Sequence, residues 1–442
     1  MLLYNVRLAW KSLRRHPVLS LLIVTGIALG VGVATTFITV HHVLAQDPIP
    51  QRSGVLYYVR MDSWDPTAPH PDKSGIPPQI TYRDMREIMK SRIPVRQTAS
   101  FQSSLAVYPE SRDIRPSLEP VRMAFSDFFP MFGVPFRYGA GWDRAADAKP
   151  EAVVVIGDRL NAKLFGGRNS VGRTLRIADH EFRIVGVLAP WRPRVRYYDM
   201  TGFPFTEPES VFLPFNWTET MEISSRGNVD GWKSVEGTPT FAERLHASES
   251  VFLQMWVELH GEAQARAYHG FLDAYAREQK RFGRFQRPLD NRVTPLLDLM
   301  AELQITPPQI KALATISILF LTVAALNLIG LFLGKFLARA PIVGIRRALG
   351  ASRASIFLEH LIECELVGLI GGGFGLLLSL GVLSFFNRMI VGRLLKMEGF
   401  FQLDAAMITA AVLLSLVAGA IAGIYPAWRI CSIPPARHLK NQ

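Results

Sequence analysis

The sequence contains little cysteine and little charge. Two cysteines among 442 residues, Cys364 and Cys431, cannot form the disulfide framework of a small secreted domain. Charged residues make up 19% of the chain and apolar residues 49%, which is too apolar for an ordinary soluble domain. The 27 Phe, 11 Tyr and 8 Trp exclude an intrinsically disordered chain. The composition therefore predicts a folded protein of the membrane.

Motifs of catalytic and metal sites are also lacking. No two histidines bracket a glutamate at metalloprotease spacing, and neither cysteine has a neighbour at metal-ligand spacing. The segment 330–336 superficially resembles a phosphate-binding loop. It has one residue too few between its glycines, and Phe336 stands where Ser or Thr must bind magnesium. We therefore expect no catalytic residue, no metal ligand and no ATP site in this chain.

Two clusters of titratable residues leave alternatives open. His41 and His42 at the end of the first apolar stretch are a solvated interfacial pair or a metal or proton site, and the first interpretation is favoured. Glu359, Glu363 and Glu365 could line an ion path. Their position at the start of the third apolar stretch favours a role at a helix N-terminus instead.

Four long uncharged windows predict four transmembrane helices. A bilayer core of about 30 Å needs about 20 helical residues, and each window reaches that length. The first window could instead be a signal peptide that is cleaved after Val43-Leu44-Ala45, but it is much longer than a signal peptide's apolar region. The windows are residues 17–46, 312–334, 366–387 and 405–428.

The net charge of +12 predicts the membrane orientation. Three segments carry twelve basic residues and no acid, so the rest of the chain is neutral. By the positive-inside rule these segments are cytoplasmic. The connection between the third and fourth helices argues weakly against this orientation because it is mildly basic, with Arg388, Arg393 and Lys396 but one acid, Glu398. The twelve residues are Arg7, Lys11, Arg14, Arg15, Lys335, Arg339, Arg346, Arg347, Arg353, Arg429, Arg437 and Lys440.

These assignments divide the chain into nine segments. The large extracytoplasmic domain is α+β and is inserted between helices 1 and 2, and both termini are cytoplasmic. The segments are an amphipathic cytoplasmic N-terminus (1–16), helix 1 (17–46), the extracytoplasmic domain (47–308), helix 2 (309–334), a cytoplasmic loop (335–353), helix 3 with a cytoplasmic extension (354–387), a short extracytoplasmic loop (388–404), helix 4 (405–428) and a cytoplasmic tail (429–442).

Within the extracytoplasmic domain, alternating apolar residues predict strands and capping residues predict helices. In the strand 253–259, odd-numbered residues point inward and Gln254 and Glu258 outward, while Trp256 breaks the pattern. The helix 158–165 has Asp158 as N-cap and Gly166 as stop. The segment 190–240, rich in Pro, Trp, Arg and Gly, is a loop, a partner surface or core. Other predicted strands are 152–156, 174–177 and 182–188, and other helices are 81–90 and 262–282.

The predicted helix 262–282 leads into a run of basic residues. This run either contacts an acidic partner or forms a solvated face, and the solvated face is favoured. Its members are Arg266, Arg277, Lys280, Arg281, Arg284 and Arg287.

Each predicted transmembrane helix carries two glycines four residues apart. Such pairs let helices approach closely in lipid, either within one chain or between two copies. We expect a dimer seam at the first and second helices. The pairs are Gly26 and Gly30, Gly330 and Gly334, Gly371 and Gly375, and Gly419 and Gly423.

The cytoplasmic loop between helices 2 and 3 predicts a short helix of about two turns. Pro341 suits the first turn, Gly350 the C-terminal cap, and Ser352 the N-cap of the following helix. Arg346 and Arg347 then face the cytoplasm, and positive-inside anchoring alone could account for them.

This loop resembles the signature of the FtsX-like permease family, in which a stretch like Arg-Glu-Ile-Gly-Ile-Arg-Arg-Ala-Leu-Gly-Ala-Ser joins the second and third spans. Residues 344–352 match it closely, and the similarity continues through Glu363, Gly-Gly-Gly-Phe-Gly at 371–375 and Gly-Ile-Tyr-Pro-Ala-Trp-Arg at 423–429. The extracytoplasmic domain is similar to the periplasmic core domain of MacB-type permeases. Its matching segments are 82–86, 128–133, 164–167, 171–174 and 184–187.

The resemblance implies a permease subunit of an ABC transporter of type VII architecture in the inner membrane. It implies a separate cytoplasmic ATPase that binds ATP and Mg, a second permease copy or related subunit, and possible periplasmic adaptor and outer-membrane channel partners. In the family, ATP-driven helix motion moves the periplasmic domains, which is called mechanotransmission. Nucleic acid is not an expected partner.

The resemblance also assigns the ATPase-coupling residues. Arg346 and Arg347 would pair with acids of the ATPase. Where the family has Glu, this chain has Ile342, which suits an apolar groove on a partner. The coupling residues are Ile342, Gly344, Ile345, Arg346, Arg347, Ala348, Leu349, Gly350, Ala351 and Ser352.

Three functions are compatible with this architecture. Efflux of peptides or amphiphilic compounds is favoured. The alternatives are lipoprotein release of the LolCE kind and an FtsX-like signalling module that activates a hydrolase.

Overall fold

The computed structural model describes residues 14, 17–111, 113–202, 204–389, 392 and 400–432. Predictions about Arg7, Lys11 and Arg15, about Arg393, Lys396 and Glu398, and about Arg437 and Lys440 lie outside these residues. The chain forms two compact units. We call Asp47–Ile305 the inserted domain, and the described residues of Met1–Gln46 and Thr306–Gln442 the membrane unit.

The described helices alternate with eleven strands. In chain order the helices are α1 (Pro17–Ala45), α2 (Tyr82–Ile88), α3 (Phe128–Met131), α4 (Arg144–Ala148), α5 (Asp158–Phe165), α6 (Trp217–Thr220), α7 (Phe241–Ala247), α8 (Glu262–Arg281), α9 (Leu296–Glu302), α10 (Pro308–Leu337), α11 (Ala340–Ala348), α12 (Arg353–Phe386) and α13 (Ala405–Cys431). The strands are β1 (Leu56–Arg60), β2 (Ile80–Thr81), β3 (Arg96–Tyr108), β4 (Ser117–Ala124), β5 (Phe136–Gly139), β6 (Val153–Ile156), β7 (Thr174–Ile177), β8 (His180–Leu188), β9 (Val211–Pro214), β10 (Val251–Glu258) and β11 (Arg292–Pro295).

Four helices of the membrane unit, α1, α10, α12 and α13, are long and apolar enough to cross a bilayer. They are the four that the uncharged windows predict. The helices α10 and α12 extend beyond those windows because they include charged residues at one end. Lys335 lies in the last turn of α10, and α12 begins at Arg353.

Small residues allow close packing in the membrane unit. A methyl group on Gly375 of α12 would lie 2.9 Å from the carbonyl oxygen of Ala28 on α1. A methyl group on Gly371 would lie 2.7 Å from Cβ of Ile27. Thr36 Oγ1 donates to Gly32 O at 2.7 Å and is 3.1 Å from Ser379 Oγ, which adds a polar contact between the same two helices. In lipid such close approach replaces the hydrophobic effect as the driving force for helix association.

The inserted domain is built on one mixed sheet of eleven strands. The strand order is β11-β1-β10-β3-β4-β9-β6-β8-β5, with β2 paired to β10 and β7 paired to β3 and β8. Most pairs are antiparallel, and the pairs β4–β9 and β6–β8 are parallel. The strands predicted at 152–156, 174–177, 182–188 and 253–259 correspond to β6, β7, β8 and β10.

Hydrophobic clusters cover both faces of this sheet. Leu253, Met255 and Val257 of β10 belong to one cluster, and Trp256 belongs to the other. The prediction that Gln254 and Glu258 point to solvent was therefore wrong, because both side chains are buried under the second layer. Trp256 does not break the strand pattern but supplies the apolar contact on that second face.

Buried charged side chains on the second face pair with one another. Arg122 forms ion pairs with Asp199 and Glu209, and Arg196 Nη1 lies 3.0 Å from Glu209 Oε1. Burial alone would raise the pKa of Glu209, but the two guanidinium groups hold that pKa below its ordinary value. This network therefore stays charged in the interior of the inserted domain.

Of the two caps predicted for the helix 158–165, the structure confirms the C-terminal cap but not the N-cap. The helix predicted at 158–165 is confirmed as α5, but its N-cap is Gly157, and Asp158 is the first helical residue. Its C-terminal residue Gly166 has φ +64°, a left-handed conformation that glycine adopts without strain.

Candidate functional site

The segment between α10 and α12 forms the short helix that the sequence predicts. Pro341 lies in the first turn of α11, where its missing N–H leaves no hydrogen bond unmade. Gly350 has φ +100° and ends the helix, and Ser352 Oγ accepts a hydrogen bond from Ser355 N at 3.1 Å as the N-cap of α12. Only two residues separate α10 from α11, so the two helices form an almost continuous element.

One face of α11 is apolar and uncovered. The side chains of Ile342, Ile345 and Leu349 are 55%, 54% and 82% exposed, whereas Val343 is buried against the membrane unit. The spacing of three and four residues places these exposed side chains on the same side of the helix. We call Ile342 and Ile345, together with Leu349, the C-cap residue that follows the helix, the apolar face of α11. Exposed apolar clusters of this kind mark contact sites for a partner protein or for the membrane.

The two arginines of α11 are engaged within the chain. Arg346 Nη1 lies 2.8 Å from Glu359 Oε2 of α12. Arg347 Nη1 donates to the carbonyl oxygen of Cys431 at the end of α13, at 3.1 Å. The arginines therefore fix α11 against α12 and α13. That they also pair with acids of a partner stays a prediction.

A buried ion cluster lies directly before α11. Lys335 Nζ on α10 lies 2.8 Å from Glu363 Oε1 on α12 and 3.3 Å from Ser20 Oγ on α1. Arg339 Nη1 lies 3.1 Å from Glu363 Oε2. The Lys335 and Glu363 side chains are almost fully buried, so this cluster joins three helices of the membrane unit.

The cluster corrects our interpretation of the three glutamates. Because α12 begins at Arg353, Glu359, Glu363 and Glu365 all lie beyond its first turn and cannot cap its N-terminus. Glu359 binds α11, and Glu363 binds α10. The sequence could not show this pairing, since the partners are more than ten residues apart and belong to different helices.

The structure divides the predicted glycine pairs into two groups. Methyl groups on Gly26 and Gly30 would meet Leu328 and Leu321 of α10 at 3.2 and 2.7 Å, so these glycines serve packing within the chain. Gly371 and Gly375 face α1, and Gly419 and Gly423 face Cys364 of α12. Methyl groups on Gly330 and Gly334 would meet nothing within 4 Å. The pair on α10 is therefore open.

The open glycines of α10 share their face with a polar residue that the sequence analysis did not single out. Asn327 is exposed and lies three residues before Gly330 and seven before Gly334. These intervals place all three residues on one side of the helix. No hydrogen bond to the Asn327 side chain occurs within the described residues. The signal in the sequence is an amide in the middle of an otherwise apolar span.

The histidines at the end of α1 approach the start of α13. His42 Nε2 lies 3.4 Å from Asp404 Oδ2, and Asp404 Oδ1 accepts a hydrogen bond from Met407 N as the N-cap of α13. Among the described residues, no group of three His, Cys, Asp or Glu side chains is arranged to bind a metal ion.

Two family models match the chain. Residues 20–268 match the MacB-like periplasmic core domain, and residues 314–435 match the FtsX-like permease C-terminal region. The first match begins within α1 and covers most of the inserted domain. The second covers α11, α12 and α13 and most of α10.

The named relatives are distant from this chain in sequence and longer than it. A macrolide export ATP-binding/permease protein MacB of Syntrophobacter fumaroxidans is 24% identical over 66% of this chain and 43% of its own length. The corresponding protein of Burkholderia cenocepacia is 21% identical over 97% of this chain and 56% of its own length. The chain thus spans about half the length of these relatives.

Solved structures match part of the chain. The periplasmic region of MacB from Actinobacillus actinomycetemcomitans is 10% identical, covers 59% of this chain and 98% of its own, and has a TM-score of 0.36. The extracellular domain of the noncanonic ABC-type transporter YknZ is 12% identical, covers 54% of this chain and 99% of its own, and has a TM-score of 0.34.

The ion cluster leads to a testable prediction about the membrane unit. Glu363→Gln leaves the Lys335 ammonium buried without an anion, which we expect to destabilise the unit by about 3 kcal/mol. The double variant Lys335→Met/Glu363→Leu removes both charges and should recover most of that loss. Both cysteines are buried in the membrane unit, so the reaction of a fluorogenic maleimide during heating of the detergent-solubilised chain reports its unfolding.

Arg346→Gln provides the matched control. The Arg346 side chain is 40% exposed, so its pair with Glu359 should contribute less than about 1 kcal/mol. Equal unfolding temperatures for Glu363→Gln and Arg346→Gln would contradict a structural role for the buried cluster.

Proposed function

The chain belongs to the permease family that combines a MacB-like periplasmic core domain with an FtsX-like C-terminal region, and from this membership we propose that it is the membrane subunit of an ABC transporter driven by a separate cytoplasmic ATPase. In this proposal the inserted domain is periplasmic, the protein is in the inner membrane, and α11 faces the cytoplasm. The positive-inside distribution of basic residues supports this orientation.

The observation that carries the proposal is the uncovered apolar face of α11. Three large aliphatic side chains face outward on a helix that two arginines fix to the membrane unit. An apolar groove on the ATPase would bury them, and each buried aliphatic side chain contributes about 1.5–3 kcal/mol. Ile342, which replaces the family's glutamate, is part of this face.

The connectivity supplies a path from the ATPase to the inserted domain. A displacement of α11 reaches α10 across two residues, and α10 follows the inserted domain directly in the chain. The Lys335–Glu363 pair resists separation of α10 from α12 because separation would leave the buried Lys335 ammonium without its anion. Motion of α10 therefore carries over to the inserted domain, which is the mechanotransmission of the family.

The proposed substrates are peptides or amphiphilic compounds that are expelled from the periplasmic side. Support comes from the relatives, which are named macrolide export proteins. In this mechanism the substrate does not need to cross the bilayer through the chain.

We also propose that the subunit works as a dimer with a second permease copy. The face of α10 with Asn327, Gly330 and Gly334 suits this role, because an amide in lipid gains a partner when two copies meet and the glycines permit close approach.

The docking proposal predicts the effect of charge on α11. Ile345→Asp/Leu349→Asp should weaken binding of the ATPase that co-purifies with the wild-type chain by at least about a hundredfold, since two apolar contacts become buried charges. Binding is measured by titrating the purified ATPase onto the chain in nanodiscs. Leu118→Asp, at an equally exposed leucine of the inserted domain, is the control and should bind normally. Wild-type binding by the α11 variant would contradict the proposal.

The dimer proposal predicts the effect of bulk on α10. Asn327→Leu/Gly330→Leu should reduce self-association in detergent about tenfold, measured by the monomer fraction in analytical ultracentrifugation. Gly381→Leu on α12 is a matched control, because a methyl group there also meets nothing within 4 Å but no amide lies beside it in the sequence. An unchanged monomer fraction for the α10 variant would show that the seam lies elsewhere.

A further inference from the structure

The inserted domain contains a cavity of about 430 Å³ that the proposed coupling mechanism does not use. Its walls come from the turn after β1 at 63–66, from the loop 232–236 and from the turn 282–286 that follows α8. Arg83 of α2, Ala247 at the end of α7 and Glu249 before β10 complete the lining. The volume falls in the range of about 300–1,000 Å³ that is typical of small-molecule sites.

The turn that forms one wall is fixed by a buried ion network. Arg284 Nε donates to Glu249 Oε1 at 2.6 Å, and Arg284 Nη1 donates to Asp84 Oδ1 at 2.7 Å. Burial alone would lower the pKa of Arg284, but the two carboxylates raise it well above its ordinary value. The favoured interpretation of the basic run as a solvated face is thus wrong for Arg284, which is buried and fully occupied.

The backbone of the same turn is held in an unusual conformation. Phe285 is buried and has φ +49°, a left-handed value that is uncommon for a large side chain. Such conformations persist only where the surrounding contacts impose them, and they are concentrated at ligand sites. The wall is therefore pre-formed.

The opposite wall is also anchored. Trp232 Nε1 donates to the carbonyl oxygen of Ser63 at 3.2 Å. Just before this loop, the backbones of Asp230 and Val251 exchange two hydrogen bonds of 3.1 and 2.8 Å. The Pro-, Trp- and Arg-rich segment that the sequence left unassigned is thus held against β10, and it presents Trp232 to the cavity.

The lining combines aromatic rings with cations. Trp64, Trp232 and Phe282 line the cavity, and Phe282 is 72% exposed. Within the described part of the inserted domain it is the one aromatic residue among the exposed large apolar side chains. An aromatic ring left in solvent beside a pre-formed cavity is typical of a ligand contact.

The charges available to a ligand are mainly positive. Arg83 and Lys233 are exposed, and neither has an ion pair within the described residues. Among the described residues that line the cavity, Glu236 is the one acid not bound to an arginine. Ser63 also lines the cavity, and its buried hydroxyl has no hydrogen-bond partner in the described structure.

We propose that this cavity binds a small anionic amphiphile, with its apolar body against Trp64, Trp232 and Phe282 and its acidic group at Arg83 and Lys233. The identification of this ligand as the exported substrate rests on the proposed function. Binding itself does not, because the cavity lies wholly within the inserted domain.

Binding is tested on the full chain in phosphatidylcholine nanodiscs, without ATPase or nucleotide. The probes are dansylglycine and its uncharged counterpart dansylglycinamide, and empty nanodiscs are subtracted. We expect the wild-type chain to bind dansylglycine at least about tenfold more tightly than the amide, since a charge-assisted hydrogen bond contributes that factor. Arg83→Gln/Lys233→Gln should remove the preference for dansylglycine over the amide. Phe282→Ser should weaken the binding of both probes about tenfold.

Arg281→Gln is the matched control. Arg281 is an exposed arginine beside Phe282 that does not line the cavity, so its loss should leave both affinities unchanged. Equal affinity of the wild-type chain for the two probes, no binding of either, or full affinity in Arg83→Gln/Lys233→Gln would overturn the proposal. If the chain binds its ATPase but not dansylglycine, the cavity assignment is wrong and the transport proposal stands. If the chain binds dansylglycine but no ATPase, the transport proposal is wrong and the cavity assignment stands.

Discussion

A hydrogen bond joins the last turn of α1 to the residues just before α10, the two places where the chain leaves and re-enters the membrane unit. Thr306 Oγ1, just before α10, donates to the carbonyl oxygen of Leu44 in the last turn of α1, at 2.8 Å. A folded domain of more than two hundred residues is thus connected to helices whose ends are held together. This hydrogen bond favours joint movement of the two helix ends, and the proposed transmission of motion uses it.

Packing in the membrane unit explains how such a load could travel. Small residues bring α1 and α12 into backbone contact, and Lys335 and Glu363 connect α10 to α12 near α11. In lipid the hydrophobic effect does not hold two helices together. Steric fit and buried ion pairs stabilise the helix pairs instead. Arg346 and Arg347 attach α11, which carries the apolar face, to α12 and α13.

The sequence predicts local features of this protein well and distant pairings poorly. The spans, the strand β7 and the cap at Ser352 depend on residues that are close in the chain, and they agree with the structure. The burial of Gln254 depends on a second layer over the sheet, and the role of Glu363 depends on Lys335 of another helix. No periodicity within β10 or α12 contains that information. The ligand cavity likewise combines segments that are more than two hundred residues apart.

The central claim is that an ATPase bound at α11 moves the inserted domain. Double electron–electron resonance tests it directly, with a spin label at Leu118→Cys, an exposed position on β4, in the proposed complex of two permease copies with the ATPase. The native cysteines are buried and remain unlabelled. We expect the label-to-label distance distribution to shift by several ångströms when a non-hydrolysable ATP analogue binds. An identical distribution with and without the analogue, in a complex that retains the ATPase, would contradict the account.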